Sequence, residues 1–416
     1  MPKGARLEKL TIENFAGIRH LEMDVSPFTL LIGPQSVGKS LTAKVLYFFK
    51  SLPRALYAAA KRDQVASCEF AVLREFQELF PHYQGIPTLT WAGSSQSEIR
   101  ISGMVVSVPD SLRKAYEALL QSSGLGADVL ESVDNQIHLF SESSLRVEQA
   151  FWRAADDVMP SGKNGAHAAY FIPAGRSFYA QIERDAASFY TTAQIDPFVN
   201  RFGKLLAQIK NRSFWSEAQD ERGAALRLAN ELLGGVYTRE NNEDWILAAD
   251  GRRLPSSVWS SGQQEAHPLA AMLRQHCGRI MAPSHIFIEE PEAHLFPTSQ
   301  RVMTELIALA FNAQIPSTRV ILTTHSPYIL TTINNLLQAG QLYAGSLSAE
   351  RKNALNGIVP EDRALAPGSV GVIYMDRDSC HSIMDEETGL IGTSEIDKAS
   401  WDLSEQFEAL LETQPS

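Results

Sequence analysis

Residues 33–40, Gly33-Pro34-Gln35-Ser36-Val37-Gly38-Lys39-Ser40, fit the spacing G-x-x-x-x-G-K-[ST]. The chemistry requires these residue types. Glycines permit backbone angles that point successive amides at phosphate oxygens. A helix starting there presents its positive end to the same anions. Lys39 reaches the β- and γ-phosphates, and the Ser40 hydroxyl ligates Mg²⁺. A second set, Glu289 and Glu290, ends the apolar run HIFIE. There Glu289 can hold Mg²⁺ through water, and Glu290 can orient or deprotonate an attacking water. A third, Trp259-Ser260-Ser261-Gly262-Gln263-Gln264-Glu265, places small residues and a glycine at a helix start. Taken singly it reads as an anion site or as an ordinary serine N-cap. The fourth, Thr323-Thr324-His325-Ser326-Pro327, follows an apolar strand. His325 can donate to a γ-phosphate, although a lone histidine after a strand is commonly structural.

The elements that must position these residues follow from the patterning. FTLLI (28–32) is an apolar strand, and Leu41, Val45, Phe48 and Phe49 recur at helical spacing behind it. Short strands are expected over 7–32 and 87–107, and helices over 110–122 and about 143–157. AAYFIPA ends a strand near Ala174. Residues 177–235 read as a helical insertion that ends at Gly234-Gly235, and 236–256 as a hairpin around Asp250-Gly251. Helix 263–276, strand 285–289, helix 298–312, strand 319–324 and helix 328–338 then alternate, which implies a mostly parallel sheet. The tail carries SVGVIYM and HSIM as strands and a last amphipathic helix with Leu403, Phe407, Leu410 and Leu411 on one face. The expected fold class from this pattern is α/β, with short N-terminal strands, a helical insertion and a short α+β extension. The expected boundaries are 1–176, 177–235, 236–345 and 346–416.

Composition narrows the class. Of 416 residues, 44% are hydrophobic, which excludes bulk disorder and allows a sizeable core. Lys and Arg number 37 against 48 Asp and Glu, a net charge of −11. A global basic field for nucleic acid is therefore absent, and the small basic groups Lys61-Arg62 and Lys210 with Arg212 read as solvated faces. Cys68, Cys277 and Cys380 are too few and too far apart for a zinc cluster or a disulfide framework. The ten histidines show no zinc-hydrolase spacing. No signal peptide and no transmembrane span is expected, so a cytoplasmic location without membrane contact is.

The order of the four motifs resembles the ABC-type ATPases: phosphate loop, SGQ signature, acid strand, switch histidine. LTIENFAGI (10–18) resembles the opening of the branch that contains RecF, the SMC proteins and the overcoming-lysogenisation-defect (OLD) ATPases. EEPEAHLFP (289–297) and TTHSPYIL (323–330) resemble the last group most closely, including standalone ATPases of bacterial anti-phage systems. The likeness covers the first 50 residues and about 255–335 well. It departs from transporter-type members at Trp259 and Ser261, and Glu289 stands where most members have aspartate.

The resemblance implies an α/β, ABC-type phosphate-loop ATPase head with an N-terminal antiparallel β-subdomain, a helical insertion and a short α+β C-terminal extension, and ATP hydrolysis with Mg²⁺. Gly33 to Leu41 would bind the nucleotide (Gly33, Pro34, Gln35, Ser36, Val37, Gly38, Lys39, Ser40, Leu41). Ser40 and Glu289 would serve the metal, and Glu290 and His325 the catalysis. Ser260, Ser261, Gly262 and Gln263 would act in trans on the ATP of a second head, and Glu292 and His294 would lie in the segment crossing that interface. A homo-oligomer built on head-to-head dimers is expected, with a separately encoded nuclease or toxin as effector. Rival readings are a RecF-like DNA-repair ATPase, which needs a basic face, a transporter subunit, and a nucleotide-gated scaffold with little turnover. OLD proteins often carry a nuclease whose metal site is an Asp-x-Asp after a strand; Asp376 and Asp378 in VIYMDRDS read instead as a hairpin turn. Arg176 is open between a nucleotide sensor or relay and a surface arginine capping a strand.

Overall fold

The computed structural model describes residues 8–83, 86–94, 97–124, 137–158, 168–177, 195–211, 223–241, 243–278, 284–313, 318–377, 379–392 and 404–411. The strands are β1 (Glu8–Phe15), β2 (Ile18–Val25), β3 (Phe28–Ile32), β4 (Thr88–Ser94), β5 (Ser97–Ser102), β6 (Val105–Ser107) and β7 (Ala168–Ile172), then β8 (Gly235–Glu240), β9 (Glu243–Ala248), β10 (Arg253–Pro255), β11 (Ser284–Glu289), β12 (Arg319–Thr324), β13 (Val370–Met375) and β14 (Cys380–Ser382). The helices are α1 (Lys39–Lys61), α2 (Cys68–Leu79), α3 (Asp110–Gly124), α4 (Ile137–Val158), α5 (Pro197–Asn211), α6 (Ala224–Leu233), α7 (Ser261–Cys277), α8 (Pro297–Ala313), α9 (Pro327–Ala344) and α10 (Ala349–Ile358).

The site is carried by a six-stranded sheet of order β14-β13-β3-β12-β11-β7, parallel except for β14. Its strands β3, β11 and β12 are buried on both faces, as strands covered by helices on two sides must be. Alternation sorts them. Phe28, Leu30 and Ile32 of β3, Ile286 and Ile288 of β11, and Val320 and Leu322 of β12 face one core, which α6, α7, α8 and α9 complete. Leu31, Phe287 and Ile321 face the other, built with α1, α2 and the N-terminal sheet. That antiparallel sheet, β2-β1-β4-β5-β6, is the expected β-subdomain. The buried ion pair of Lys50 on α1 with Glu8 on β1, at 2.6 Å, ties it to that helix.

Several elements differ from expectation. The 236–256 hairpin is a three-stranded sheet, β10-β9-β8, with Asp250-Gly251 at its second turn. Helices α2 and α10 were not foreseen. The C-terminal extension is anchored in the main sheet: β13 runs parallel to β3, and its hairpin partner β14 forms the edge. The turn between them carries Asp376, while Asp378 lies outside the described residues. So do much of the 177–235 insertion (178–194 and 212–222), Arg212 and Leu403; residues 404–411 form an exposed helix. Among the described residues no helix is long and apolar enough to cross a membrane.

Candidate functional site

The phosphate loop joins β3 to α1, and positive φ angles at Gly33 (146°), Ser36 (63°) and Gly38 (98°) turn its amides inward. Gly33 is required for a further reason. A Cβ there would lie 1.9 Å from the Met375 carbonyl oxygen at the end of β13. Gly38 is the N-cap of α1 and supplies no side chain to the first turn, so those amides stay available to an anion.

Lys39 is buried and donates to the carbonyls of Gly33 (2.7 Å) and Pro34 (2.5 Å). Its Nζ also lies 3.4 Å from Nδ1 of His325. An ammonium has no acceptor, so Nδ1 receives and Nε2 of that ring carries the proton. Nε2 in turn lies 3.3 Å from Oε1 of Glu290. Lys39, His325 and Glu290 therefore form one polar chain at the loop, although they come from three elements. Strand β12 makes this possible, since it lies between β3 and β11.

The two successive carboxylates point differently. Glu290 has φ 42°, and its side chain is 37% exposed toward the cleft. Glu289 is buried. Its Oε2 accepts from the Ala174 amide at 3.2 Å, while Oε1 has no hydrogen-bond partner. Burial raises its pKa, against the pull of Lys44, the Ala174 amide and the Ser40 hydroxyl. A buried carboxylate with one unpartnered oxygen that also feels the Ser40 hydroxyl fits Mg²⁺, a hard cation that takes oxygen ligands. Among the described residues no cluster of three or more His, Cys, Asp or Glu side chains could hold a metal ion. The cation would therefore depend on phosphate oxygens as well.

Glu292 has a role that the motif does not reveal. Its Oε1 accepts from Thr324 Oγ1 (2.8 Å) and from the His325 amide (2.7 Å), which fixes the backbone that presents the histidine. His294 is exposed, with φ 59°. In the signature, Ser260 caps α7 and forms a capping box with Gln263, so the plain reading of that serine is present too. A Cβ on Gly262 would approach the His294 carbonyl oxygen to 2.9 Å, so α7 begins hard against the loop that follows the acids.

A cleft of about 900 Å³ opens over the phosphate loop. Gln35 to Leu41, Glu290 and His325 line it, and none of Ser260, Ser261, Gly262 and Gln263 does. Two further walls were missed at the sequence level: the β1–β2 turn at Ala16 and Gly17 with the start of β2, Ile18 to Leu21, and the β13–β14 turn at Asp376 and Arg377. The NFAGI stretch was a usable signal for the first; nothing local marks the second. Arg176, one of whose readings was a surface cap, is 1% exposed.

Burial pushes the Lys39 ammonium down to about 8, while Glu290 and Glu292 hold it up. In the free protein Lys39 therefore loses its proton as pH rises through about 8. A bound triphosphate favours the charged form. ATP affinity should fall between pH 7 and 9, and binding near pH 8 should take up protons. Calorimetry in buffers of different ionisation heats reads this uptake directly. Lys39→Arg, which keeps its charge throughout, should abolish it.

Residues 179–330 match the family model described as an AAA ATPase domain. That stretch holds the signature, the acid strand and the histidine; the phosphate loop lies outside it. No curated protein matches. Among solved structures the chain is similar to an SMC head bound to the C-terminal winged-helix domain of ScpA, at TM-score 0.40 and 13% identity, covering 92% of this chain and 98% of that one. It is also similar to an SMC head domain from Thermotoga maritima, at TM-score 0.37 and 12% identity, covering 91% and 98%. A third is an SMC head with an extended coiled coil bound to the C-terminal domain of ScpA, derived from Pyrococcus furiosus, at TM-score 0.34 and 12% identity, covering 96% and 99%. The family match supports an ATPase.

Proposed function

We propose that this chain binds ATP with Mg²⁺ and hydrolyses it to ADP and phosphate at the phosphate-loop cleft. The observation that carries this is the convergence of Lys39, His325 and Glu290 in a single polar chain. Lys39 leaves the loop carbonyls to meet the β- and γ-phosphates. Glu290 accepts the proton of the attacking water, and His325 faces the γ-phosphate. Ser40 and Glu289 would hold Mg²⁺, which supplies charge neutralisation on the phosphoryl oxygens when bound.

The signature stands outside its own cleft, which supports a head-to-head pair in which it meets the partner's nucleotide. Apolar side chains left exposed beside the motifs fit such a face: Val258 (61%), Phe296 (73%) and Tyr328 (51%). The resemblance of EEPEAHLFP and TTHSPYIL supports a cytoplasmic sensor subunit of an anti-phage system, gating a separately encoded nuclease or toxin.

Complementation tests the pair. Ser261 is exposed at the first position of α7, where an acid is tolerated by the helix dipole. Ser261→Glu should keep its own phosphate loop and fold but repel the partner's γ-phosphate. Alone it should not turn over, and neither should Lys39→Ala. Mixed, they form one intact composite site per pair, so ATPase activity should return to at most half. A mixture that stays inactive while the two variants co-sediment with ATP would place the signature in cis or outside the reaction.

A further inference from the structure

Arg176 follows β7, in the loop leading away from the acid strand's neighbour. Its guanidinium is buried, and each of its three nitrogens donates to at least one carbonyl. Nη1 donates to the Glu289 carbonyl (2.7 Å) and the Pro173 carbonyl (3.2 Å), and Nη2 donates to the Glu290 carbonyl (3.0 Å). Nε donates to the Glu265 carbonyl (3.3 Å) and lies 3.4 Å from Glu265 Oε2. The Glu265 carboxylate closes the loop from the other side: Oε2 accepts from the Arg176 amide and Oε1 from the Ser177 amide, both at 3.1 Å. Glu265 is 1% exposed and sits on α7, two residues beyond Gln263.

One side chain thus joins the helix that begins with the signature to the two carbonyls that frame the catalytic acid. The left-handed φ of Glu290 (42°) matters here, because a non-glycine residue stays in that region only when its surroundings over-determine it. Two constraints do so. The Glu290 amide donates to the Thr323 carbonyl at 2.9 Å, and the carbonyl is held by Arg176. A planar fork can grip two successive carbonyls and still pair with Glu265, which a lysine ammonium cannot do with the same geometry.

We propose that Arg176, clamped by Glu265, is a positioning residue that relays the placement of α7 to the aim of Glu290. Engagement of the signature by a second head then sets the angle at which the acid meets water. The proposal rests on the reading of the cleft as an ATPase site, and that reading is checked separately by ATP binding and turnover of the unaltered protein.

The test uses Arg176→Lys and Glu265→Gln in the full chain. Glu265→Gln preserves volume and so covers the case in which Arg176→Lys folds poorly. ATP affinity, KM, kcat, thermal unfolding and ATP-dependent sedimentation are measured for each. Both variants should bind ATP within a few-fold of the unaltered chain and still assemble with ATP. Their kcat should fall about 10²-fold with little change in KM, the size expected when a reacting group is misplaced by about 1 Å. Turnover per head, which should rise with protein concentration in the unaltered chain, should no longer rise in the variants. The double variant should be no slower than the worse single one, since both remove one linkage. A folded, assembling variant with unaltered kcat would overturn the proposal. So would equal losses of ATP binding and kcat, the outcome for a structural brace alone. If the unaltered chain binds and turns over no ATP, the function reading fails instead.

Discussion

Glu290→Gln is expected to fold, to bind ATP, to lose roughly 10²- to 10⁴-fold in turnover and to accumulate as an ATP-bound pair of heads. Glutamine keeps the volume, the φ of 42° imposed by the backbone contacts, and an oxygen facing Nε2 of His325. What it lacks is the capacity to accept a proton from water. It also removes a negative charge facing the triphosphate, which favours the ATP-bound state. Binding that bridges two heads then stabilises the closed pair by mass action. Light scattering and turnover with Mg²⁺ and ATP read both parts. Near-normal turnover would remove Glu290 from the role of base, and slow turnover without assembly would reject the paired heads. The substitution should also move the alkaline limb of ATP binding to lower pH, because Glu290 is one of the charges that hold the Lys39 ammonium up. Glu289→Gln should act differently. It alters the buried carboxylate that feels the Ser40 hydroxyl, so it should weaken retention of Mg²⁺ and with it of nucleotide.

Lys39→Ala is expected to lose most of its ATP affinity while leaving the fold intact. Truncating one partner of a buried charge pair costs on the order of 2–5 kcal/mol, a loss of about 30-fold or more in affinity. Stability should hold or rise. In the free protein the buried ammonium meets the carbonyls of Gly33 and Pro34 and the His325 ring, and burial lowers its pKa despite the charges of Glu290 and Glu292. A gain in thermal stability with a loss of binding is the signature of a residue kept for its ligand. Lys44 provides the control. It lies on the same helix but pairs with Asp196 at 3.1 Å and covers the Phe198 ring, so Lys44→Ala should reduce affinity far less. Equal ATP affinity in Lys39→Ala and the unaltered chain, measured by calorimetry, would refute the phosphate-loop assignment.

The amino-acid sequence by itself determined the contiguous parts: the strand, glycine turn and helix of residues 28–61, the capped start of α7, and the apolar strand that ends in Glu289 and Glu290. Each is set by short-range rules of backbone freedom, capping and periodicity, which neighbouring residues satisfy among themselves. Tertiary structure alone decided which strands lie side by side. VGVIYM reads as a strand wherever it is placed, and only the packing puts it beside β3, close enough that Gly33 tolerates no side chain. The interposed β12 brings His325 to Lys39 across 286 positions of chain. Glu292 and Arg176 could not be assigned from their neighbours either, since each holds backbone amides or carbonyls of segments distant in the chain. A backbone group carries no residue identity, so a side chain that binds one leaves no pattern in the sequence. What fixes it is the burial of apolar strand faces, which is non-directional and acts between residues far apart in the chain.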